Sequence, residues 1–298
     1  MGTDIHVIVV GGPYPLDLAT MARRRIDQLE QMWSRFIPNS EISRLNDSAG
    51  TPMTVSRETL DLVVKAKQAW VFSGGGFDPT VLGAMIRAGY DRPFDELGPN
   101  PRSGHSRLGV GADDIVVDAD RRVVCLPPDT GFDPGGIGKG LAADLVAAQV
   151  IAAGADGVCV NLGGDVRVTG AAPDGGGWTV AVEHPWSPEP IAQIGVADGA
   201  VATSTTLRRQ WQVGGERRHH LIDPQTGLPS TTDLTLATVV AGDAWIAEVL
   251  AKAVILRGSA HPFDIVTASG AEALAVDSGG VVQTTSGFAR YLGEACPA

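Results

Sequence analysis

The chain has 298 residues, enough for one large domain or two small ones, and its hydrophobic content of 44% is typical of a globular protein. Its net charge of −11 argues against a nucleic-acid-binding protein, because phosphate backbones need clustered lysine and arginine. Three widely spaced cysteines without a CxxC pair predict no disulfide or zinc framework. No apolar run reaches the ~18 residues of a membrane span. No signal-peptide pattern opens the sequence, so we expect a cytoplasmic protein without membrane insertion.

The first part of the chain predicts mainly helices. A buried strand is expected over residues 5–10, ended by Gly-Gly-Pro. A long amphipathic helix should follow over 16–36, and a short polar turn or helix over 40–46. A second amphipathic helix over 59–72 should end at three glycines, after which Phe77-Asp78-Pro79-Thr80 starts another segment.

The rest of the chain predicts strands separated by helices. Helices are expected over residues 139–153 and 243–257. The predicted strands cover 115–117, 123–126, 157–162, 166–169, 178–183, 194–196, 200–203, 274–277 and 280–283. This order indicates an α+β fold with a largely antiparallel sheet core and flanking helices.

A glycine-rich motif, Phe132 to Gly140, runs directly into the helix expected from residue 139. Such a turn presents unpaired backbone N–H groups to an anion, and Lys139 adds a point charge suited to phosphate. The alternative is a purely structural glycine loop, and the motif is not a Walker A loop, because no Ser or Thr follows the lysine. The turn Asn161 to Asp165 is open to two interpretations, a tight hairpin turn or a ligand contact.

A second motif, His219 to Gly227, places His220 three residues before Asp223 in a turn sequence. A histidine with a nearby acid can act as a general base. A structural turn built on Asp-Pro-x-Thr-Gly is the alternative. Adjacent histidines point in different directions, so we expect at most one of the pair to be functional.

Glu248 and Lys252 are charged residues in an otherwise apolar helix. Their spacing of four places both on one helix face, and buried charges need partners. Either they form a self-contained ion pair on a narrow solvated stripe, or they line a polar cleft.

These motifs, in this order, resemble those of the FAD:protein FMN transferase family, also called the ApbE family. The resemblance implies an ApbE-like flavin transferase fold. It implies one domain over residues 1–298, or two closely packed lobes with the FAD site between them. The matching segments are Met1-Gly2-Thr3, Ser34-Arg35-Phe36, residues 40–46, Gly76 to Thr80, Asp133 to Gly140, Asn161 to Asp165 and His220 to Gly227.

The resemblance also implies a reaction: FAD is bound, its pyrophosphate is cleaved, and FMN passes to a Thr or Ser hydroxyl of an acceptor flavoprotein while AMP leaves. The acceptor flavoprotein is then the partner, and the chain is a monomer or a homodimer. His220 falls on the family's candidate base, followed by Asp223, and Gly136 falls where a backbone carbonyl binds magnesium. FAD contacts are implied for Met1, Phe36, Gly76, Phe77, Asp78, Asp133, Lys139 and Ile222.

The chain departs from the family at the second magnesium element, which is Ala-Asp followed four residues after the Asp by Thr. Here Ala247-Glu248 is followed by Lys252. A glutamate can reach a metal, but a protonated lysine cannot ligate one. We hypothesise that the Lys252 ammonium takes the place of Mg²⁺ and pairs with Glu248. Two other functions stay open, an FAD pyrophosphatase that gives FMN and AMP and a non-catalytic FAD-binding protein.

Overall fold

The structure is a computed structural model that describes residues 3–97 and 111–292. Met1, with its predicted FAD contact, lies outside the described residues. The chain divides into two compact units. The first unit contains Gln28–Gly138 and Thr206–Thr232, and the second contains Thr3–Asp27, Lys139–Thr205 and the chain from Asp233 onward.

Several helices begin or end at residues suited to that position. The side chain of Ser40 accepts a hydrogen bond from the Ser43 N–H at the start of one helix, and Ser56 caps another. The second of these helices stops before Gly74 and Gly75, whose positive φ angles suit glycine. Within the described residues the α-helices are α1 (Pro15–Trp33), α2 (Glu41–Asp47), α3 (Arg57–Phe72), α4 (Leu82–Arg87), α5 (Gly138–Ala152), α6 (Ala244–Arg257) and α7 (Asp264–Ala268). None of them is both long and apolar enough to cross a membrane.

Among the described residues, the strands β1 to β16 pair with their neighbours in antiparallel orientation. Their bounds are β1 (Ile5–Val10), β2 (Met53–Thr54), β3 (Val116–Asp118), β4 (Val123–Cys125), β5 (Gly157–Leu162), β6 (Asp165–Gly170), β7 (Trp178–Val182), β8 (Ala192–Val196), β9 (Gly199–Thr205), β10 (Gln210–Val213), β11 (Glu216–His219), β12 (Ile222–Asp223), β13 (Leu228–Pro229), β14 (Leu234–Ala241), β15 (Glu272–Asp277) and β16 (Val282–Thr284).

The second unit is built on a sheet with the strand order β1-β5-β6-β9-β14-β15-β16 among the described residues. Alternate residues of its strands, such as Val201 and Val240, join a hydrophobic cluster with the β7–β8 hairpin and Phe288. The intervening residues, such as Ala202 and Val239, are also buried, and α6 packs against β9 and β14. Both faces of the central strands are therefore covered. The predicted α+β fold with a largely antiparallel sheet is confirmed.

The first unit contains α2, α3 and α4, a small sheet in the order β2-β4-β3, and the hairpins β10–β11 and β12–β13. Asn46 of α2 clamps the backbone of Phe132, because its Oδ1 accepts from the Phe132 N–H at 2.7 Å and its Nδ2 donates to the Phe132 carbonyl at 3.0 Å. This clamp joins two motifs that are far apart in sequence.

The predicted bounds of β1 and β5 match the structure, and the long helices differ from their predicted bounds only near their ends. Strand β14 was not predicted, although its sequence LTLATVVA is rich in β-branched residues. Because β14 lies between β9 and β15, the predicted sheet lacked one of its inner strands. The hairpin β10–β11 was also missed, because Arg217 and Arg218 break the apolar alternation.

Candidate active site

Asp133 opens the glycine-rich motif and holds its turn. Its side chain accepts a hydrogen bond from the Gly135 N–H at 2.8 Å, at the start of the 3-10 helix Pro134–Gly136. Its own N–H donates to the Pro79 carbonyl at 2.7 Å, which ties this motif to the Gly76–Thr80 segment. Gly136, the predicted magnesium carbonyl, is half-buried at the end of this turn.

Arg35 lies buried beside Asp133, with 3.6 Å between its Nε and the carboxylate Oδ2. Its guanidinium carbon is 4.1 Å from the Phe36 ring centroid and 4.8 Å from that of Tyr90. Tyr90 in turn packs against Trp211 with 5.3 Å between centroids, and burial raises the pKa of Tyr90, which keeps it neutral.

Ile222 belongs to the same hydrophobic cluster as Tyr90 and Trp211, and Phe36 packs against it. Three predicted FAD contacts, Phe36, Asp133 and Ile222, therefore share one neighbourhood of the first unit. The neighbourhood combines aromatic surface with a buried guanidinium.

The Gly76–Asp78 segment is organised by local hydrogen bonds. Ser73 anchors it, because its carbonyl accepts from the Gly76 N–H and its Oγ accepts from the N–H of the buried Phe77. The Oδ1 of Asp78 accepts from the N–H of Thr80 at 2.8 Å and from its hydroxyl at 2.6 Å. Asp78 therefore stabilises its own turn, and its predicted FAD contact stays a prediction.

The two adjacent histidines have different surroundings. The Nδ1 of His219 accepts from the Leu221 N–H at 3.2 Å, so its Nε2 is the protonated nitrogen and donates to the Ser230 carbonyl at 3.0 Å. Burial lowers the pKa of His219 and favours the neutral ring. Because both ring nitrogens are bound to backbone, His219 has a structural role, and His220 is left as the candidate base of the pair.

Asp223 is occupied by its own turn. Its Oδ1 accepts from the Gln225 N–H at 2.9 Å, its Oδ2 accepts from the Thr226 hydroxyl at 3.1 Å, and its carbonyl accepts from the Gly227 N–H. These bonds match the Asp-Pro-x-Thr-Gly turn expected from sequence. Its geometry is that of a residue that shapes the loop after His220.

The second unit holds four charged side chains, Lys139, Asp165, Glu248 and Lys252, here called the lysine–carboxylate cluster. The Lys139 ammonium contacts the Asp165 carboxylate directly and lies 3.3 Å from Glu248 Oε1. The Lys252 ammonium donates to the same Oε1 at 3.1 Å. The Oε2 of Glu248 accepts from the Gly140 N–H at 2.8 Å. Glu248 is thus not limited to a pair with Lys252, and it joins α6 to the start of α5.

Glu248 is fully buried, with 0% of its surface exposed. Burial alone raises the pKa of a carboxylate, but the charges of Lys139 and Lys252 and the Gly140 N–H outweigh it and hold the pKa of Glu248 below its usual range. The carboxylate is therefore ionised at neutral pH.

A sequence model of the ApbE family matches residues 1–275. The chain belongs to the ApbE family. It is 27% identical over 300 residues to the FAD:protein FMN transferase of Vibrio cholerae, covering 98% of this chain and 88% of the relative. It is 30% identical over 259 residues to that of Treponema pallidum, covering 78% and 69%. The crystal structure of the ApbE protein from Thermotoga maritima superposes with a TM-score of 0.87 at 26% identity, covering 98% of this chain and 97% of that one.

The magnesium ion implied by the resemblance to ApbE proteins does not fit Glu248. Mg²⁺ requires octahedral oxygen ligands, but Oε1 already faces two ammonium groups and Oε2 accepts a backbone N–H. The described residues contain no group of three His, Cys, Asp or Glu side chains that could hold a metal.

Two features of this candidate site were not predicted from the sequence. The buried ion pair of Asp165 with Lys139 depends on strand register, and its sequence signal was the Asn161 to Asp165 turn, which has glycines at positive φ and Asn161 Oδ1 accepting from the Gly164 N–H. Arg35 carried no local signal beyond its place between Ser34 and Phe36.

Gly140 is expected to tolerate no side chain. A Cβ there would lie 2.4 Å from the Ala244 carbonyl oxygen and 2.7 Å from the Trp245 Cα, and both are backbone atoms that cannot move aside cheaply. We expect Gly140→Ala to lower the free energy of unfolding by about 1–3 kcal/mol, measured by denaturant titration. Gly138→Ala is the matched control, because its Cβ would meet only Pro134 Cβ at 3.4 Å. Equal stability of the two variants would contradict the close approach of α5 and α6.

Proposed function

We propose that this chain is an FAD:protein FMN transferase. It moves FMN from FAD to the hydroxyl of a Thr or Ser in an acceptor flavoprotein and releases AMP. The observation that carries the proposal is membership of the ApbE family over residues 1–275, a range that includes both the glycine-rich and the His-Asp motifs. A cytoplasmic location stays a prediction from the sequence.

The reaction exchanges the phosphoanhydride bond of FAD for a phosphoester bond to the acceptor hydroxyl. The acceptor hydroxyl oxygen attacks the phosphorus on the flavin side of FAD, and the bond from that phosphorus to the bridging oxygen breaks. AMP leaves with the bridging oxygen, and the hydroxyl proton passes to His220 and from there to solvent. The protein must position the diphosphate and place positive charge against the developing phosphoryl charge.

The described side chains supply groups suited to each task. His220 is the proposed base, and Asp223 fixes the turn that follows it. Lys139 stands in the first turn of α5, where backbone N–H groups favour an anion. The buried Arg35 beside Phe36 and Tyr90 offers positive charge next to aromatic surface. The FAD contacts of Met1, Phe36, Gly76, Phe77, Asp78, Asp133, Lys139 and Ile222 are part of this proposal.

The test is to incubate the purified protein with FAD, with and without an acceptor flavoprotein, and to follow AMP and FMN by chromatography and the acceptor by mass spectrometry. We expect AMP release matched by an acceptor mass increase equal to one FMN. AMP with free FMN and an unmodified acceptor would instead identify an FAD pyrophosphatase. FAD that stays bound and intact with the acceptor present would identify a non-catalytic binder.

A further inference from the structure

The lysine–carboxylate cluster is electrically balanced, with two ammonium groups and two carboxylates. Glu248 is fully buried, and the side chain of Lys252 is only 14% exposed. Lys139 spans both carboxylates, so its single charge cannot neutralise Asp165 and Glu248 together. Lys252 supplies the second positive charge.

Removal of the Lys252 charge would leave a net charge of −1 in a buried site. A buried carboxylate without a compensating charge is unfavourable and binds a cation when one can reach it. Lys252 stands four residues after Glu248 on α6, so the helix itself directs the ammonium to Oε1. The ammonium of Lys252 is thus a covalently attached compensating charge at Glu248 Oε1.

The buried Lys252–Glu248 pair differs from an ordinary surface ion pair of the same spacing. Lys65 and Asp61 are also four residues apart, but their side chains are 26% and 43% exposed and their charged atoms are 3.8 Å apart. Such pairs contribute little, because water screens both charges. The Lys252–Glu248 pair is buried, shorter at 3.1 Å, and shares its carboxylate with Lys139 and the Gly140 N–H.

We propose that Lys252 is a built-in cation that keeps divalent metal ions away from Glu248, and that FMN transfer by this chain needs no Mg²⁺. The exclusion of metal ions from Glu248 is inferred from the geometry of the cluster. The claim that transfer needs no Mg²⁺ rests on the proposed function. The role assigned to Lys252 is to neutralise Glu248, so that Lys139 keeps its place in the first turn of α5 without a metal ion beside it.

A metal-binding experiment tests, without any assay of activity, whether Lys252 keeps divalent metal ions away from Glu248. Mn²⁺ binding is measured by electron paramagnetic resonance, with Mg²⁺ as competitor, for the wild type, Lys252→Thr and Lys252→Arg, with Lys65→Thr as the matched control. We expect Lys252→Thr to gain one Mn²⁺ site that Mg²⁺ displaces and that Glu248→Gln in the same chain removes. The wild type, the arginine variant and the control should lack this site. A folded Lys252→Thr protein with no new site, or a wild type that already holds it, would overturn the proposal.

The activity arm compares AMP release in EDTA and in Mg²⁺, with the acceptor flavoprotein present. The wild type should be equally active in both, whereas Lys252→Thr should lose about 10²-fold in EDTA and regain activity with Mg²⁺. If AMP release by the wild type stops in EDTA, metal independence is overturned. This result does not require any variant to fold. A wild type that releases no AMP under either condition refutes the proposed function, and the Mn²⁺ experiment then still decides the role of Lys252.

Discussion

Replacing His220 with glutamine is expected to slow FMN transfer by about 10²–10⁴-fold, the usual contribution of a general base. Glutamine keeps the size and polarity of the position but cannot accept the hydroxyl proton. His219 cannot substitute, because its Nδ1 and Nε2 are both engaged with the backbone at Leu221 and Ser230. The loss should appear in kcat, since the base acts on the acceptor hydroxyl in the transition state.

The measurement is the initial rate of acceptor flavinylation, together with an FAD binding titration. FAD affinity should change little, because the missing group acts on the other substrate. His261→Gln is the control, since His261 is exposed in the second unit and its backbone carbonyl, not its ring, accepts a bond from Arg257. An unchanged kcat in His220→Gln would assign the base to another residue.

Replacing Glu248 with glutamine is expected to lower the free energy of unfolding by about 3–5 kcal/mol, the cost of breaking a buried ion pair from one side. The amide removes the charge that Lys139 and Lys252 share, and only Asp165 then remains to balance two ammonium groups. The substitution also weakens the acceptor for the Gly140 N–H, which links α6 to α5.

Denaturant unfolding followed by circular dichroism measures this loss. Glu189→Gln is the matched control, because Glu189 is exposed and the same change there should stay within about 0.5 kcal/mol. If Glu248→Gln were as stable as the control, the cluster would contribute nothing to the fold.

The ionised Glu248 carboxylate should also make the stability of the protein depend on pH. The pKa of Glu248 is lower in the folded state than its ordinary value of about 4.5, so the folded state favours the ionised form. Its contribution to stability is complete above pH 4.5 and is lost as the pH falls through the lower folded pKa. The stability difference between wild type and Glu248→Gln should therefore shrink on acidification over that range. A difference that grows instead would contradict the ionised state of Glu248.

Local patterns were enough to predict much of the secondary structure. The alternation and β-branched content of residues 5–10 and 157–162 gave strands with the observed bounds, and the apolar run after Asp243 gave α6. The sequence also placed the glycine-rich and His-Asp motifs, because their turns depend on Asp133 and Asp223 bonding to N–H groups two residues away.

Long-range pairing decided the rest. Strand β14 is held by β9 and β15, and the hydroxyl of its Thr238 pairs with that of Thr203, a partner 35 residues away. Helix α6 begins where Asp144 of α5 accepts from the N–H groups of Ala244 and Trp245, which is also a non-local contact. Such contacts depend on register and packing, which local residue preferences do not determine.

The sequence by itself determined the family, the fold class and the placement of Glu248 and Lys252 four residues apart in a largely apolar helix. Only the tertiary structure decided that Lys139 also binds Glu248, that Asp165 completes the balance of charge, and that both carboxylate oxygens of Glu248 already have ammonium or N–H partners. It also separated His219, fixed by backbone, from His220. The reason is physical: the charge state and the role of a buried side chain depend on the partners around it, and the fold brings those partners from distant parts of the chain.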